Sequence, residues 1–418
     1  MPKTTIQSEI NGIVRLFVPG EVPVECKINS QTFGTGSESA ISALGENVVC
    51  FEEALKRLRE AHPLGESLSL KELLDRLIPL VKEKVLAGGE FTHEEAKGFE
   101  DEITNLPLYR FQVIRRFFGV VLEPGSSSMN FGNFNVGFGN QLLGDTARAP
   151  LISITLKPEE LNEVYIECTV EARDTERAKE IANARFYSFE QIFRVFIGRR
   201  TDRLEVGILN YTGPQLRDCL VFAEEEGPMT HNLSWNGALQ PIPLNDPYFS
   251  KPEVPFPRLF GLISSENTEL ERHVLRCAEW TGQAMGDQNG ASAFVKGTIA
   301  LEVLFSANEK GVITPSIMAQ IAESCAFLLG NSKWQPLEVE KEVKRLYGIR
   351  SAVVHSGKNS VAEKDLNALL QICRSVVIIL LSNQDFAETT SISQLADYFR
   401  RRKYAGMVET QTRETGSY

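Results

Sequence analysis

The feature that most constrains the fold is a run of about 120 residues, 266–385, in which apolar side chains recur at helical spacing. Five segments of this run keep that spacing, and short turns containing Gly, Asn or Ser separate them. The segments are Glu269–Met285, Ala291–Phe305, Pro315–Leu329, Leu337–His355 and Ala362–Leu381. Helices joined by short turns pack side by side as a bundle. The sequence therefore predicts an all-α domain over residues 261–385.

The residues before the bundle mix strand and helix patterns. Ile13–Val18 alternates as a strand does, whereas Ser69-Leu-Lys-Glu72 and Thr92-His-Glu-Glu95 are capping boxes that open helices. The sequence thus predicts an α+β protein, a mixed strand and helix N-terminal region followed by an all-α helical bundle. We expect four parts: a mixed region (1–150), an α+β subdomain with a proline-rich linker (151–260), the bundle (261–385) and a basic, polar tail (386–418) that is disordered from Val408.

Two shorter patterns lie inside the N-terminal part. In the Gly/Ser/Asn-rich stretch 124–150, Phe134, Val136 and Phe138 alternate with small residues, which favours a hairpin over the core and leaves a base-stacking surface as the alternative. A dinucleotide-binding loop is excluded there because Leu142 replaces its third glycine. Residues 151–225 predict a strand, a helix and two strands. Those segments are Val164–Val170, a long helix capped by Asp174, Leu204–Tyr211 and Leu216–Phe222.

Composition excludes several classes of protein. The net charge of −11 argues against a broad duplex-binding surface, and the acidic excess lies in the first 260 residues. Seven scattered cysteines without a C-x-x-C pair predict reduced thiols in a cytoplasmic protein, with no metal site and no cofactor. The N-terminus lacks the apolar core of a secretory signal, and the apolar run within Leu369–Leu381 is short. We expect that run to be a core helix and expect no membrane partner.

One motif at the end of the fourth bundle segment carries chemistry, namely Tyr347-Gly-Ile-Arg-Ser-Ala-Val-Val-His-Ser-Gly357. The guanidinium of Arg350 can hold a phosphate oxygen in a fork of donors, and the imidazole of His355 can move a proton near neutral pH. A five-residue spacing places the two side chains about 140° apart on a helix, whereas Ser351 and His355 share a face. We expect a symmetric dimer to close such a site. The alternative is structural: Arg350 pairs with a carboxylate of a neighbouring helix and His355 caps the helix end.

The run from Leu346 to Gly357 resembles the signature of HEPN domains, the R-x4–6-H superfamily, and is most similar to its ApeA-like branch. Ala300-Leu-Glu-Val-Leu-Phe305 resembles the Ala-Leu-Glu helix that precedes the motif in that branch, and the segment Ala319–Leu329 also fits. The resemblance covers residues 266–385. It implies a metal-independent endoribonuclease that works as a homodimer, typical of toxin and phage-defence systems. Arg350 and His355 fall on the arginine and histidine of the motif, and Glu302 on the acidic position of the preceding helix.

These groups suggest a mechanism in which the RNA 2′-hydroxyl attacks the adjacent phosphorus. Arg350 would neutralise the phosphoryl oxygens, and His355 would act as general acid or base. Ser351 would orient His355 or contact the phosphate, although many HEPN nucleases have Asn, Asp or His there. Glu302 would position Arg350 or the histidine. The products would carry 2′,3′-cyclic phosphates.

Two other functions stay open at this point. One is a non-catalytic HEPN module that binds a nucleotide or a partner protein, and the other is an assembly protein whose bundle only dimerises. Transfer RNA is the substrate that the ApeA-like resemblance suggests. The acidic N-terminal region could sense a phage component or restrain the nuclease, and the sequence does not say which.

Overall fold

The computed structural model describes fourteen ranges of the chain. They are residues 5–21, 30–34, 40–60, 67–143, 157–198, 205–209, 211, 216–222, 229–235, 240–251, 255–305, 317–330, 335–357 and 360–414. Within these ranges the chain is predominantly helical and carries several small sheets, so the predicted α+β class is confirmed. Contacts divide the chain into two compact units, residues 1–113 with 169–184 and residues 114–168 with 185–418. The four-part division expected from the sequence stays a prediction.

The helices and strands are numbered here in chain order. The helices are α1 (Ile6–Val14), α2 (Glu46–Glu60), α3 (Leu70–Ala87), α4 (His93–Thr104), α5 (Gly139–Leu142), α6 (Thr175–Ile197), α7 (Phe256–Gly261), α8 (Glu269–Gly286), α9 (Gly290–Phe305), α10 (Ile317–Leu329), α11 (Pro336–Ser356), α12 (Glu363–Ser382) and α13 (Ile392–Glu414). The strands are β1 (Val18–Pro19), β2 (Ser30–Phe33), β3 (Ile41–Leu44), β4 (Tyr109–Arg116), β5 (Val120–Val121), β6 (Met129–Phe131), β7 (Phe134–Phe138), β8 (Val164–Ala172), β9 (Leu216–Phe222), β10 (Met229–Trp235) and β11 (Ile242–Pro243).

The first unit packs α1–α4 around a shared apolar core, beside a small antiparallel sheet of order β1-β3-β2. Both predicted caps are present. The Ser69 hydroxyl accepts the Glu72 amide at 3.0 Å, and Thr92 forms a complete capping box with Glu95. These caps satisfy backbone donors that a helix start would otherwise leave unpaired.

The strand predicted over Ile13–Val18 is wrong. Helix α1 continues to Val14, and only Val18 and Pro19 of this region pair with β3. The reason lies upstream: Ile6, Ile10 and Ile13 recur at helical spacing, and Thr5 accepts the Ser8 amide as a cap. The alternation at Ile13–Val18 is too short to outweigh that longer period.

The second unit contains the predicted hairpin. Strands β6 and β7 pair in the antiparallel sheet of order β4-β8-β7-β6, with Gly132 in the left-handed region at the turn. Phe134 and Val136 are buried, so the hairpin interpretation is confirmed and Phe134 has no surface for base stacking. Phe134 packs against Phe186 and Phe189 of α6, within a larger cluster of aromatic rings.

The other predicted elements of this region are only partly present. Strands β8 and β9 match their predictions, and the Asp174 carboxylate accepts the Arg177 amide at 2.8 Å to cap α6. Strand β9 pairs with β10 in a two-stranded sheet. No strand is assigned at the described residues among 204–211, where Gly207 forms an isolated bridge to Phe118.

The bundle helices α8–α12 confirm the five predicted segments, with ends that differ by no more than two residues. Apolar periodicity places them well because each helix buries one face against its neighbours. Helix α8 approaches α6 at Gly282, where an added Cβ would lie 2.0 Å from the backbone oxygen of Gln191. Only glycine permits this distance between backbones.

Two findings concern the last helices. Helix α12 is long and apolar enough to cross a membrane by length and composition, and 56% of that window is buried within the bundle, as in a core helix. The prediction that the tail is disordered from Val408 is wrong as far as Glu414, because α13 continues to that residue.

Candidate active site

The candidate site lies where the end of α9 faces α11, and its best-defined contact is an ion pair. The Nη2 atom of Arg350 on α11 lies 3.4 Å from Oε1 of Glu302 on α9. The two side chains are 31% and 26% exposed, so the pair is half-buried and still reaches the surface. The structure thus brings together two of the four residues predicted from the sequence.

The guanidinium of Arg350 is not saturated with hydrogen bonds. Its Nε atom is buried and has no hydrogen-bond partner in the described part of the chain. A buried donor without an acceptor is unfavourable by about 1–3 kcal/mol, and proteins keep few of them. Arg350 is therefore held by one ion pair and retains the capacity to bind a further anion.

Ser351 and His355 lie on the exposed end of α11. Helix α11 ends at Gly357, whose φ of 64° is left-handed, as the sequence predicted for a helix that stops at a glycine. Within the described ranges, neither side chain makes a hydrogen bond or an ion pair, either with each other or with Arg350. As far as the described residues show, the exposed imidazole of His355 can meet a ligand or a second chain.

A buried tyrosine, Tyr347, supports the ion pair and was given no role by the sequence. Its hydroxyl donates to the backbone oxygen of Thr298 at 3.3 Å, and burial raises the pKa of Tyr347, so the hydroxyl stays protonated. In α9 that same oxygen accepts the amide of Glu302, four residues on. The sequence feature that could have identified Tyr347 is its position three residues before Arg350. This spacing puts both side chains on the face of α11 that packs against α9.

A second contact anchors α9 one residue earlier. The Cys373 thiol of α12 lies 3.3 Å from the backbone oxygen of Gly297, and an added Cβ at Gly297 would lie 2.9 Å from Leu369. Consecutive carbonyls of α9 thus receive donors from α12 and α11. These contacts fix the position of Glu302, which lies about one turn further along α9.

The candidate site could take an anion, since a guanidinium, a hydroxyl and an imidazole lie within two turns of one helix. Within the described ranges, no group of three His, Cys, Asp or Glu side chains is arranged to hold a metal ion. Comparisons of the chain with protein families, with curated proteins and with solved structures find no match.

Proposed function

We propose that this chain is a HEPN endoribonuclease that cleaves RNA without a metal ion. The observation that carries the proposal is the Arg350–Glu302 ion pair, which leaves a partly exposed, unsaturated guanidinium on the helix that also presents Ser351 and His355. The resemblance of residues 266–385 to HEPN domains adds to this chemistry. The proposal includes a homodimer through the bundle and a cytoplasmic role in phage defence or as a toxin, with transfer RNA as the suggested substrate.

The chemistry follows from groups that this chain supplies. The 2′-oxygen of the RNA bonds to the adjacent phosphorus as the bond to the 5′-oxygen of the next nucleotide breaks. A base removes the proton of the 2′-hydroxyl, and an acid protonates the leaving 5′-oxygen. The imidazole of His355 can carry out one of these two transfers, and a water molecule can carry out the other. Arg350 neutralises the phosphoryl oxygens, and Glu302 keeps its guanidinium in place.

The test uses the purified full-length chain and end-labelled transfer RNA in the presence of a chelator. We expect cleavage that leaves 2′,3′-cyclic phosphates and no cleavage of RNA with a 2′-deoxy sugar at the cut. Arg350→Ala and His355→Ala should each lower the rate by at least about a hundredfold. Arg276→Ala is the matched control, because the exposed Arg276 of α8 also lies 3.4 Å from a glutamate, Glu279.

A second function, the non-catalytic module, is favoured by one observation. Arg350 already pairs with a carboxylate of the neighbouring helix, as the structural interpretation of the motif expects, and His355 does not contact it. This module would bind a nucleotide or a partner protein and leave RNA intact. Unchanged RNA ends and equal cellular toxicity for the wild type and both alanine variants would favour it over the nuclease.

A further inference from the structure

A groove of about 230 Å³ lies between the end of α9, α10 and α13, and we call it the α9–α10–α13 groove. Its apolar lining includes Phe305 of α9, Phe327 of α10 and Phe399 of α13, and its polar lining includes Gln320, Glu323, Ser324 and Lys403. A concave apolar surface with a few converging polar groups is the usual form of a small-ligand site.

Two polar side chains of the groove have unused hydrogen-bonding capacity. Gln320 and Ser324 lie four residues apart on one face of α10 and are half-buried. Neither makes a hydrogen bond within the described ranges. An amide offers two donors and an acceptor, which can match the edge of a nucleobase.

Of the three phenylalanines in the groove lining, Phe327 is half-buried and presents its ring to the groove, whereas Phe305 and Phe399 are buried behind it. The rings of Phe327 and Phe399 are nearly parallel, with an interplanar angle of 11° and centroids 6.0 Å apart. Phe305 lies beside Phe399, with ring centroids 6.4 Å apart. Base stacking on aromatic side chains tolerates any sequence because every base has a π-face.

The rim of the groove carries positively charged side chains that could bind a phosphate. Lys403 forms an ion pair with Glu323 at 2.6 Å, and both side chains are more than 40% exposed. Arg400 is the second lining cation, and it forms an exposed ion pair with Asp397 at 3.1 Å. An exposed pair of this kind contributes little to stability, so a phosphate can compete for the ammonium of Lys403.

The groove also lies close to the candidate active site. Phe305 follows Glu302 by three residues on α9, which is about one turn and the same face of the helix. A strand whose phosphate reached Arg350 would therefore have a neighbouring nucleotide within one helical turn of the groove.

We propose that the α9–α10–α13 groove binds one unpaired nucleotide of the RNA substrate, with its base against Phe327 and its phosphate near Lys403. This inference rests on the proposed function for the identity of the strand. The base must be unpaired because a base within a duplex cannot enter a groove lined by side chains. The groove would then favour cutting in loops and single strands.

The test measures binding by the full-length His355→Ala variant, so that the RNA stays intact. Fluorescein-labelled, unpaired oligoribonucleotides of mixed sequence carry an abasic nucleotide at each position in turn, and anisotropy gives the Kd. One abasic position should weaken binding about tenfold, as expected for loss of one stacked base. Gln320→Leu and Phe327→Leu should each reduce that difference between intact and abasic RNA.

The matched control is Arg401→Ala, which removes the same charge from α13 one residue outside the groove lining. Arg401→Ala should weaken the binding of all oligonucleotides equally and preserve the difference in Kd between intact and abasic RNA. Lys403→Ala should reduce that difference. Gln320→Leu replaces a half-buried polar side chain with an apolar one of similar size, so it serves as the folded test if Phe327→Leu unfolds the chain.

The outcomes separate this inference from the proposed function. One outcome is that the groove variants reduce the loss of affinity caused by an abasic nucleotide while the wild-type chain cuts no RNA. That result would support the groove and overturn the nuclease. RNA cleavage without any such loss of affinity would overturn the groove alone. Adenosine monophosphate that binds in the groove without competing with RNA would assign it to a free nucleotide, which also overturns the inference.

Discussion

Two arginines five residues apart on α11 are held in different ways. Arg345 donates to both carboxylate oxygens of Glu342, at 2.8 and 2.7 Å, and to Asp365 of α12 at 2.8 Å. Arg350 has one ion pair of 3.4 Å and a buried Nε without an acceptor. A side chain that holds helices together is expected to make several short hydrogen bonds, as Arg345 does. Arg350 makes fewer hydrogen bonds than Arg345, so it is the better candidate for binding a substrate anion.

Tyr347→Phe should separate positioning from simple stability. The variant loses the hydrogen bond to Thr298, which has a net value of about 1 kcal/mol. We expect the free energy of unfolding, measured in urea, to fall by about that amount. Because Glu302 loses its register against Arg350, kcat for RNA cleavage should fall about tenfold while KM stays unchanged.

Tyr248→Phe is the control for that experiment. The Tyr248 hydroxyl also donates to a backbone oxygen, that of Phe196 at 3.1 Å, and it accepts from Arg374. It should therefore lose at least as much free energy of unfolding as Tyr347→Phe and keep its kcat. Equal falls of kcat in both variants would mean that Tyr347 acts on stability alone.

Asp287 should give stability a dependence on acid pH. Burial alone would raise the pKa of Asp287, but hydrogen bonds from Lys296, Ser292 and the Asn289 amide outweigh burial and lower that pKa. A carboxyl whose pKa is lowered by folding stabilises the protein above its ordinary pKa, and this stabilisation is lost as pH falls below about 4.

The measurement compares the wild type with Asp287→Asn between pH 7 and pH 3. The variant should be less stable by about 1–2 kcal/mol at pH 7, and the difference should shrink below about pH 4. Asp397→Asn is the control, because the Asp397 side chain is 49% exposed and forms an exposed ion pair with Arg400. A difference that stays constant with pH would show that the charge of Asp287 is not responsible.

At the scale of helices, two glycines of the bundle should respond to alanine in opposite directions. Gly282 faces the backbone of Gln191, and its Cβ would lie 2.0 Å from an oxygen that cannot move independently of α6. Gly348 lies on the exposed face of α11 with open space around it. Gly282→Ala should lower the free energy of unfolding by about 2–3 kcal/mol, and Gly348→Ala should raise it by about 0.5–1 kcal/mol. Urea unfolding checks both, and equal signs would contradict this account of α6–α8 packing.

The bundle was predictable from the sequence because each helix repeats its apolar period over three turns or more. The same rule failed at Ile13–Val18, where a six-residue alternation overlaps a helix that begins at Ile6. The Gly282–Gln191 approach and the Tyr347–Thr298 hydrogen bond were not predictable, because they depend on how two helices separated in sequence meet. Local periodicity carries no information about such pairs.

The same difference separates the features of the candidate site that the sequence predicted from those that it did not. The spacing of Arg350, Ser351 and His355 could be read from one helix, and the structure keeps all three on α11. Glu302 came from the HEPN resemblance, and the structure places it against Arg350. The unsaturated Nε of Arg350 and the α9–α10–α13 groove are visible only once the helices are packed.

At the scale of the whole molecule, the described residues of one chain do not complete the proposed site, since no hydrogen bond or ion pair joins His355 to Arg350 or Glu302. If a twofold dimer joins two α11 helices, the guanidinium of one chain can act with the imidazole of its partner. Arg350→Ala and His355→Ala chains, each inactive as a homodimer, can then complement each other. Each mixed dimer contains one intact pair, formed by Arg350 from one chain and His355 from the other.

Denaturing, mixing and refolding the two variants in equal amounts should make about half of the dimers mixed, so about a quarter of the wild-type rate of RNA cleavage should return. The separate variants, refolded alone, give the background. A mixture that remains at background while sedimentation shows dimers would mean that Arg350 and His355 of the same chain act together. Complementation in a preparation that sediments as monomers would contradict the dimeric site.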